Sequence, residues 1–172
     1  MLVTVITLTK DREQYIAQSI ESVLQQTYPN FEYIILDDAS TDNTYSICKA
    51  YAATDSRIKL FKLTESTGVS NARNQAITHV QTELVAFLDS DDIWHSTFLE
   101  QQIYTINSQT ESDCVGTFCS SYYIDSSAKK ITGFFNIQQT KYFLPKMLTS
   151  FSPPGNGSAL LIRTDALKKS GQ

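Results

Sequence analysis

At 172 residues, 41% of them hydrophobic and 19% charged, the chain has the size and composition of one soluble domain with a sizeable core. A formal net charge of −4, with no Lys/Arg cluster beyond the pairs Lys129-Lys130 and Lys168-Lys169, argues against nucleic acid as a partner. No apolar run approaches membrane-spanning length, and Lys10-Asp11-Arg12-Glu13 follows the apolar start too early for a signal peptide, so the expected location is the cytoplasm.

Residues 2–8 read as a first strand, and Asp11 with Gln14 as a capping box for a helix carrying Tyr15, Ile16, Ile20, Val23 and Leu24. Thr27-Tyr28-Pro29-Asn30 stops that helix. Phe31 to Leu36 is a second strand ending in Asp37-Asp38, and Ser40-Thr41-Asp42 caps a helix with Ile47, Cys48, Tyr51 and Ala52. Arg57 to Leu63 is a third strand. Ser66-Thr67-Gly68 turns it into a helix with Val69, Ala72, Ala76 and Val80 on one face. The run Val85-Ala86-Phe87-Leu88 is a fourth strand, followed by a helix through Ile106 that Thr97 and Glu100 cap. Strands alternating with helices predict an α/β fold with a mostly parallel sheet flanked by helices.

Beyond about residue 110 the pattern changes. Asp113 to Ile124 reads as one strand, turned by Ser126 to Lys129 into a strand over Lys130 to Phe135. Tyr142, Phe143, Met147 and Leu148 suggest a short helix, and Ser152-Pro153-Pro154-Gly155-Asn156-Gly157 a loop. Ser158 to Arg163 is a last strand, and Thr164-Asp165 opens a helix that the end at Gln172 cuts short. The expectation is one domain over 1–172, with a ligand-binding half at 1–110 and an incomplete half at 111–172. Cys48, Cys114 and Cys119 show no paired metal spacing and read as reduced structural thiols.

The chemistry points to the strand ends. The fourth strand closes in Asp89-Ser90-Asp91-Asp92, and packing gives no reason to crowd like charges there. A divalent cation bridging to phosphate oxygens would relieve the repulsion. Thr9 to Asp11 and Asp37-Asp38 close the first two strands, and in a parallel sheet such ends share one edge, where open α/β sheets bind ligands. Gly68 and Arg73 fall at the same edge. Arg73 suits an anionic group, or equally a salt bridge to one of these aspartates.

Five segments resemble the GT-A-fold glycosyltransferases of family 2. They are Val3-Thr4-Val5-Ile6, Ser22 to Tyr28 (SVLQQTY), Ile35 to Asp42 (ILDDASTD), Gly68 to Asn74 (GVSNARN) and Phe87 to Trp94 (FLDSDDIW). Gly157 to Arg163 (GSALLIR) is similar to that family's strand before its catalytic segment. The resemblance implies a GT-A, Rossmann-like fold and an inverting transfer from a nucleotide-diphosphate sugar, UDP-sugar favoured, to an acceptor hydroxyl. By position Asp38 would bond the base, with Thr9 lining the nucleoside pocket and Gly68 and Arg73 beside it. Asp89 and Ser90 would meet ribose or donor sugar, and Asp91 would coordinate Mn²⁺ or Mg²⁺ at the diphosphate. A saccharide or lipid-linked acceptor is implied, in surface polysaccharide or glycolipid synthesis, with peripheral association of the full-length protein at the inner face of the membrane.

Two departures accompany the resemblance. The family often carries Pro-Thr-Tyr-Asn where this chain reads Leu8-Thr9-Lys10-Asp11, which removes a base-stacking aromatic and leaves Lys10 for phosphate or solvent. The family's general base follows the strand at Gly157 to Arg163, so it is expected after Gln172, and no catalytic residue is assigned within the chain. The alternatives are a haloacid-dehalogenase-like phosphatase, whose Asp-x-Asp matches Asp89-Ser90-Asp91, and a non-catalytic nucleotide-sugar-binding module. Trp94 reads as core or acceptor platform, and His95 as a lesser candidate for metal or phosphate. The aromatic pairs Tyr122-Tyr123, Phe134-Phe135 and Tyr142-Phe143 could line an acceptor groove, but read rather as strand residues half-buried by alternation.

Overall fold

The computed structural model describes residues 1–108, 114–126, 128–135 and 157–170. The expected helix at Tyr142 to Leu148 and the loop from Ser152 to Asn156 lie outside them. Four strands run parallel, namely β1 (Val3–Thr9), β2 (Phe31–Asp37), β3 (Ile58–Lys62) and β4 (Leu84–Phe87). They are joined by α1 (Ile16–Leu24), α2 (Thr44–Thr54) and α3 (Val69–Thr78), and α4 (Phe98–Ser108) follows β4. Then come β5 (Gly116–Phe118), β6 (Ser121–Ile124), β7 (Ile131–Phe135), a 3₁₀ turn at Gly157–Ala159, β8 (Leu160–Arg163) and α5 (Thr164–Ser170). The main sheet has the order β3-β2-β1-β4-β8-β5, with β8 antiparallel to both neighbours, and β6-β7 forms a separate hairpin.

Alternation along the strands explains the two layers of core. Val3 and Val5 of β1, Tyr33 and Ile35 of β2, and Leu84 and Ala86 of β4 face α1, α2 and α4, meeting Ile16, Ile20, Val23, Cys48, Leu99 and Ile103. Ile6, Ile34, Leu36, Val85 and Phe87 face the other way, onto Ala72, Ala76 and Val80, with Leu167 of α5 packed alongside. Both faces of β4 are covered, which is why its sequence, Leu84 to Phe87, is apolar without a break.

Three local expectations give way to long-range bonds. Asp11 caps nothing. It sits at φ 50°, its carboxylate accepts from Thr41 N at 2.8 Å, and α1 begins only at Ile16. At α4, Thr97 Oγ1 pairs with His95 Nδ1 and the Glu100 carboxylate accepts from Thr27 Oγ1, so no capping box forms there either. The expected strand from 113 to 124 is two strands in two sheets, because Gly116–Phe118 pairs with β8 while Ser121–Ile124 pairs with β7. Gly116 is required at that contact, since a Cβ there would lie 2.7 Å from the Leu161 carbonyl oxygen. All three cysteines are free thiols. Burial, then the charge of Asp37, pushes the Cys48 thiol up to about 12.

Candidate active site at the carboxyl edge of the sheet

The ends of β1 and β2 are in register, Thr9 opposite Asp37, and Asp38 N donates to the Thr9 carbonyl at 2.8 Å. Asp38 is buried, and its carboxylate gathers the next loop. It accepts from Ser66 Oγ at 2.8 Å, Thr67 N at 2.8 Å and Gly68 N at 3.2 Å. Burial raises its pKa, but these donors and the Lys10 charge outweigh that and hold the carboxyl below its usual range. Gly68 has φ 80°, a left-handed value that suits glycine, and from it α3 departs. Thr9 Oγ1 and Asp37 Oδ1 are buried on the α1/α2 side with no hydrogen-bond partner among the described residues.

The chain leaves β4 at Leu88, whose N–H still bonds the Ile6 carbonyl, and turns at once into Asp89-Ser90-Asp91-Asp92. Arg73 reaches back from α3. Its Nη2 lies 4.0 Å from Asp89 Oδ1, and the guanidinium carbon sits 5.4 Å from the centre of the Phe87 ring. The Arg73 Nε is buried and lacks a partner among the described residues. One helix thus joins the two parts of the site, tied to Asp38 at its first end and reaching Asp89 one turn later. Arg12 approaches from the β1–α1 loop, its Nε 3.5 Å from Asp91 Oδ2. Asp89 is raised above the usual carboxyl range by burial and by Asp91, against the pull of Arg73. Asp92 is raised by burial and by its two acidic neighbours, against a hydrogen bond from Ser158.

Two elements hold this acidic turn in place. Ser19, Ser22 and Gln26 recur three and four residues apart, so they form one polar stripe on α1 and the turn after it. Ser19 Oγ donates to the Asp89 carbonyl at 3.3 Å, and Ser22 Oγ accepts from Trp94 N at 3.2 Å. Gln26 donates to the His95 carbonyl at 2.8 Å and accepts from Leu99 N at 2.9 Å, filling the place at the α4 start that Thr97 was expected to fill. From the other side, Ser158 Oγ accepts from Asp89 N at 2.9 Å and donates to Asp92 Oδ2 at 2.6 Å. The Ser158 carbonyl takes Trp94 Nε1 at 2.6 Å. Trp94 is therefore core, stacked 4.1 Å from Phe98, and no acceptor platform.

The edge brings together Thr9, Asp38 and Gly68 on one side and Arg73, Asp89, buried Ser90 and Asp91 on the other. Lys10 does not reach the acidic turn, because its Nζ donates to Ser66 Oγ at 2.9 Å beside Asp38. Arg12, Gln26 and Ser158 were not singled out as site residues. Only Ser158's place in the GSALLIR segment and Gln26's in SVLQQTY hinted at them. Among the described residues no group of three or more His, Cys, Asp or Glu is arranged to hold a metal. A metal bound through one carboxylate and a ligand's phosphates needs no such group, and Asp91, about half exposed, fits that mode. His95 turns to Thr97 instead. A cleft of about 700 Å³ opens beside the acids, between Tyr15 and Gln18 at the start of α1 and the β6-β7 hairpin. Tyr122 and Tyr123 there are 62% and 60% exposed, so alternation does not half-bury them. Three parallel strands precede the acids, and Asp38 and Arg73 are built into the same edge, features that the phosphatase alternative leaves unexplained.

Comparison with known proteins agrees with this architecture. The chain is 45% identical over 102 residues to an Escherichia coli protein named UDP-Glc:alpha-D-GlcNAc-diphosphoundecaprenol beta-1,3-glucosyltransferase WfgD, covering 59% of this chain and 40% of that one. Staphylococcus aureus TarS 1-349 in complex with UDP-GlcNAc superposes with a TM-score of 0.76 at 23% identity, over 99% of this chain and 48% of that one. The mannosyltransferase PcManGT of Pyrobaculum calidifontis, solved with GDP-Man and Mn²⁺, gives 0.72 at 22% identity, over 98% and 46%. The chain thus spans about half the length of these proteins or less, and its α/β sheet has the GT-A fold. The family model described as glycosyl transferase family 2 matches residues 4–171, almost the whole sequence, and the chain belongs to that family.

Proposed function

We propose that residues 1–110 form the donor half of a glycosyltransferase that takes a UDP-sugar, assisted by Mn²⁺ or Mg²⁺, and that residues 111–172 belong to its acceptor side. The observation that carries this reading is α3, which starts on the Asp38 loop and delivers Arg73 to Asp89, spanning the edge as an extended nucleotide sugar would. Asp38 and Thr9 serve the nucleoside, Gly68 and Arg73 border it, and Asp89 and Ser90 meet ribose or sugar. Asp91 holds the metal. When bound, the ion neutralises charge on the departing diphosphate. Arg73 orients the Asp89 carboxylate, and the Ser158 and α1 contacts keep the turn from relaxing away from the donor. None of these residues is assigned as the base that takes the acceptor's proton. The names of WfgD and of the TarS complex, with UDP-Glc and UDP-GlcNAc, support the uridine donor. WfgD's name also supports a lipid-linked saccharide acceptor, hence surface polysaccharide or glycolipid synthesis with the protein at the cytoplasmic face of the membrane. No helix among the described residues is long and apolar enough to cross a membrane.

The test is calorimetric titration of UDP into the protein with Mn²⁺ or with chelator, for wild type and Asp91→Ala. Binding is expected only with metal and only when Asp91 is present. UDP binding that ignores both chelator and the substitution would sink the metal assignment, and absence of UDP binding in wild type with Mn²⁺ would sink the donor assignment. GDP, in parallel, tests the choice of base.

A further inference from the structure

The ion pair between Arg12 and Asp91 is not needed for the fold. Both side chains are about half exposed, 45% and 49%, and such solvent-exposed pairs contribute little to stability. The backbone beneath Arg12, in contrast, is firmly fixed. Arg12 N donates to Thr44 Oγ1 at 2.7 Å, and the flanking Asp11 and Glu13 carboxylates accept from Thr41 N and Asn43 N. A well-anchored loop therefore presents a half-exposed guanidinium to the one carboxylate assigned to the metal.

We propose that Arg12 is a diphosphate-binding residue that releases Asp91 when the donor and its metal arrive; this rests on the donor site proposed above. A phosphate oxygen that shared an ion with Asp91 would lie within ~4 Å of its carboxylate. Arg12 already stands at that radius. The divalent charge cancels the hold of Asp91 on the guanidinium, and the diphosphate supplies new anionic oxygens matched to its fork of N–H donors. Before donor binding, Arg12 offsets part of the repulsion among Asp89, Asp91 and Asp92. Lys10 is bonded to Ser66 on the nucleoside side and Arg73 faces Asp89, so neither stands where Arg12 does.

The experiment compares wild type, Arg12→Gln and Arg12→Lys by calorimetry against UDP with Mn²⁺, uridine, and Mn²⁺ alone. Loss of a charge-assisted bond predicts UDP binding about tenfold weaker in Arg12→Gln, partly restored in Arg12→Lys. Uridine affinity and thermal midpoint should be unchanged, and Mn²⁺ alone should bind Arg12→Gln at least as tightly as wild type, because a competitor for Asp91 is gone. UDP affinity within about twofold of wild type in Arg12→Gln overturns the proposal while leaving the donor site standing. An equal loss for uridine overturns it as well, since the effect is then not on phosphate. If wild type fails to bind UDP with Mn²⁺, the donor site and this role for Arg12 fall together.

Discussion

β4 and β8 are neighbours in one sheet and four residues long, yet every residue of β4 is buried whereas only Leu161 of β8 is. β4 arrives by a parallel crossover and carries helices on both faces. β8 is inserted antiparallel between β4 and the three-residue β5. The hairpin beyond is more open still, with Ile131, Tyr122 and Tyr123 each at least 60% exposed. A parallel strand whose connections are helices brings its own cover, while these antiparallel strands take theirs from whatever packs later. The parallel half thus has a scaffold of its own, and the 3₁₀ turn at Gly157–Ala159 attaches the later segment to it through Ser158.

Three substitutions probe that contrast. Ile34→Ala, at the fully buried centre of β2, should cost roughly 2–5 kcal/mol in urea unfolding. A loss under about 1 kcal/mol would mean that the parallel core is looser than its packing indicates. Gln26→Ala should cost about 1–3 kcal/mol, because it strands the buried Leu99 N–H. It should also weaken metal-dependent UDP binding by loosening the turn that carries the acids, and unaltered binding would show that the α1 stripe supports the fold alone. The smallest change is expected for Ile131→Ala in β7, within about 0.5 kcal/mol. A cost comparable to Ile34→Ala would break the comparison, placing the hairpin within the cooperative core.

Much of the carboxyl edge of the sheet was legible because its signals are local. Val85 to Leu88 is apolar throughout since both strand faces are covered, and the acids begin where the strand ends. The same logic located Asp38 and, through the turn at Gly68, Arg73. Arg12 escaped notice because nothing in Lys10-Asp11-Arg12-Glu13 says which of two cations turns to Asp91. The sequence leaves Lys10 for phosphate or solvent, and the fold sends it to Ser66. The misread capping boxes failed for a similar reason. Asp11 and Glu100 have suitable local spacing, but Thr41 and Thr27, 30 and 73 residues away, supply their actual partners.

The sequence alone determined the elements of the parallel half, their order, and the crowding of carboxylates at the strand ends, since apolar run length and helical period are properties of neighbouring residues. Tertiary structure decided the rest. It set β8 antiparallel between β4 and β5, split residues 116–124 between two sheets, turned Arg12 toward Asp91 and pinned the acidic turn between Ser158 and the α1 stripe. Those outcomes depend on which distant groups meet once the sheet is assembled, and a hydrogen-bonding side chain carries no mark of its partner along the chain.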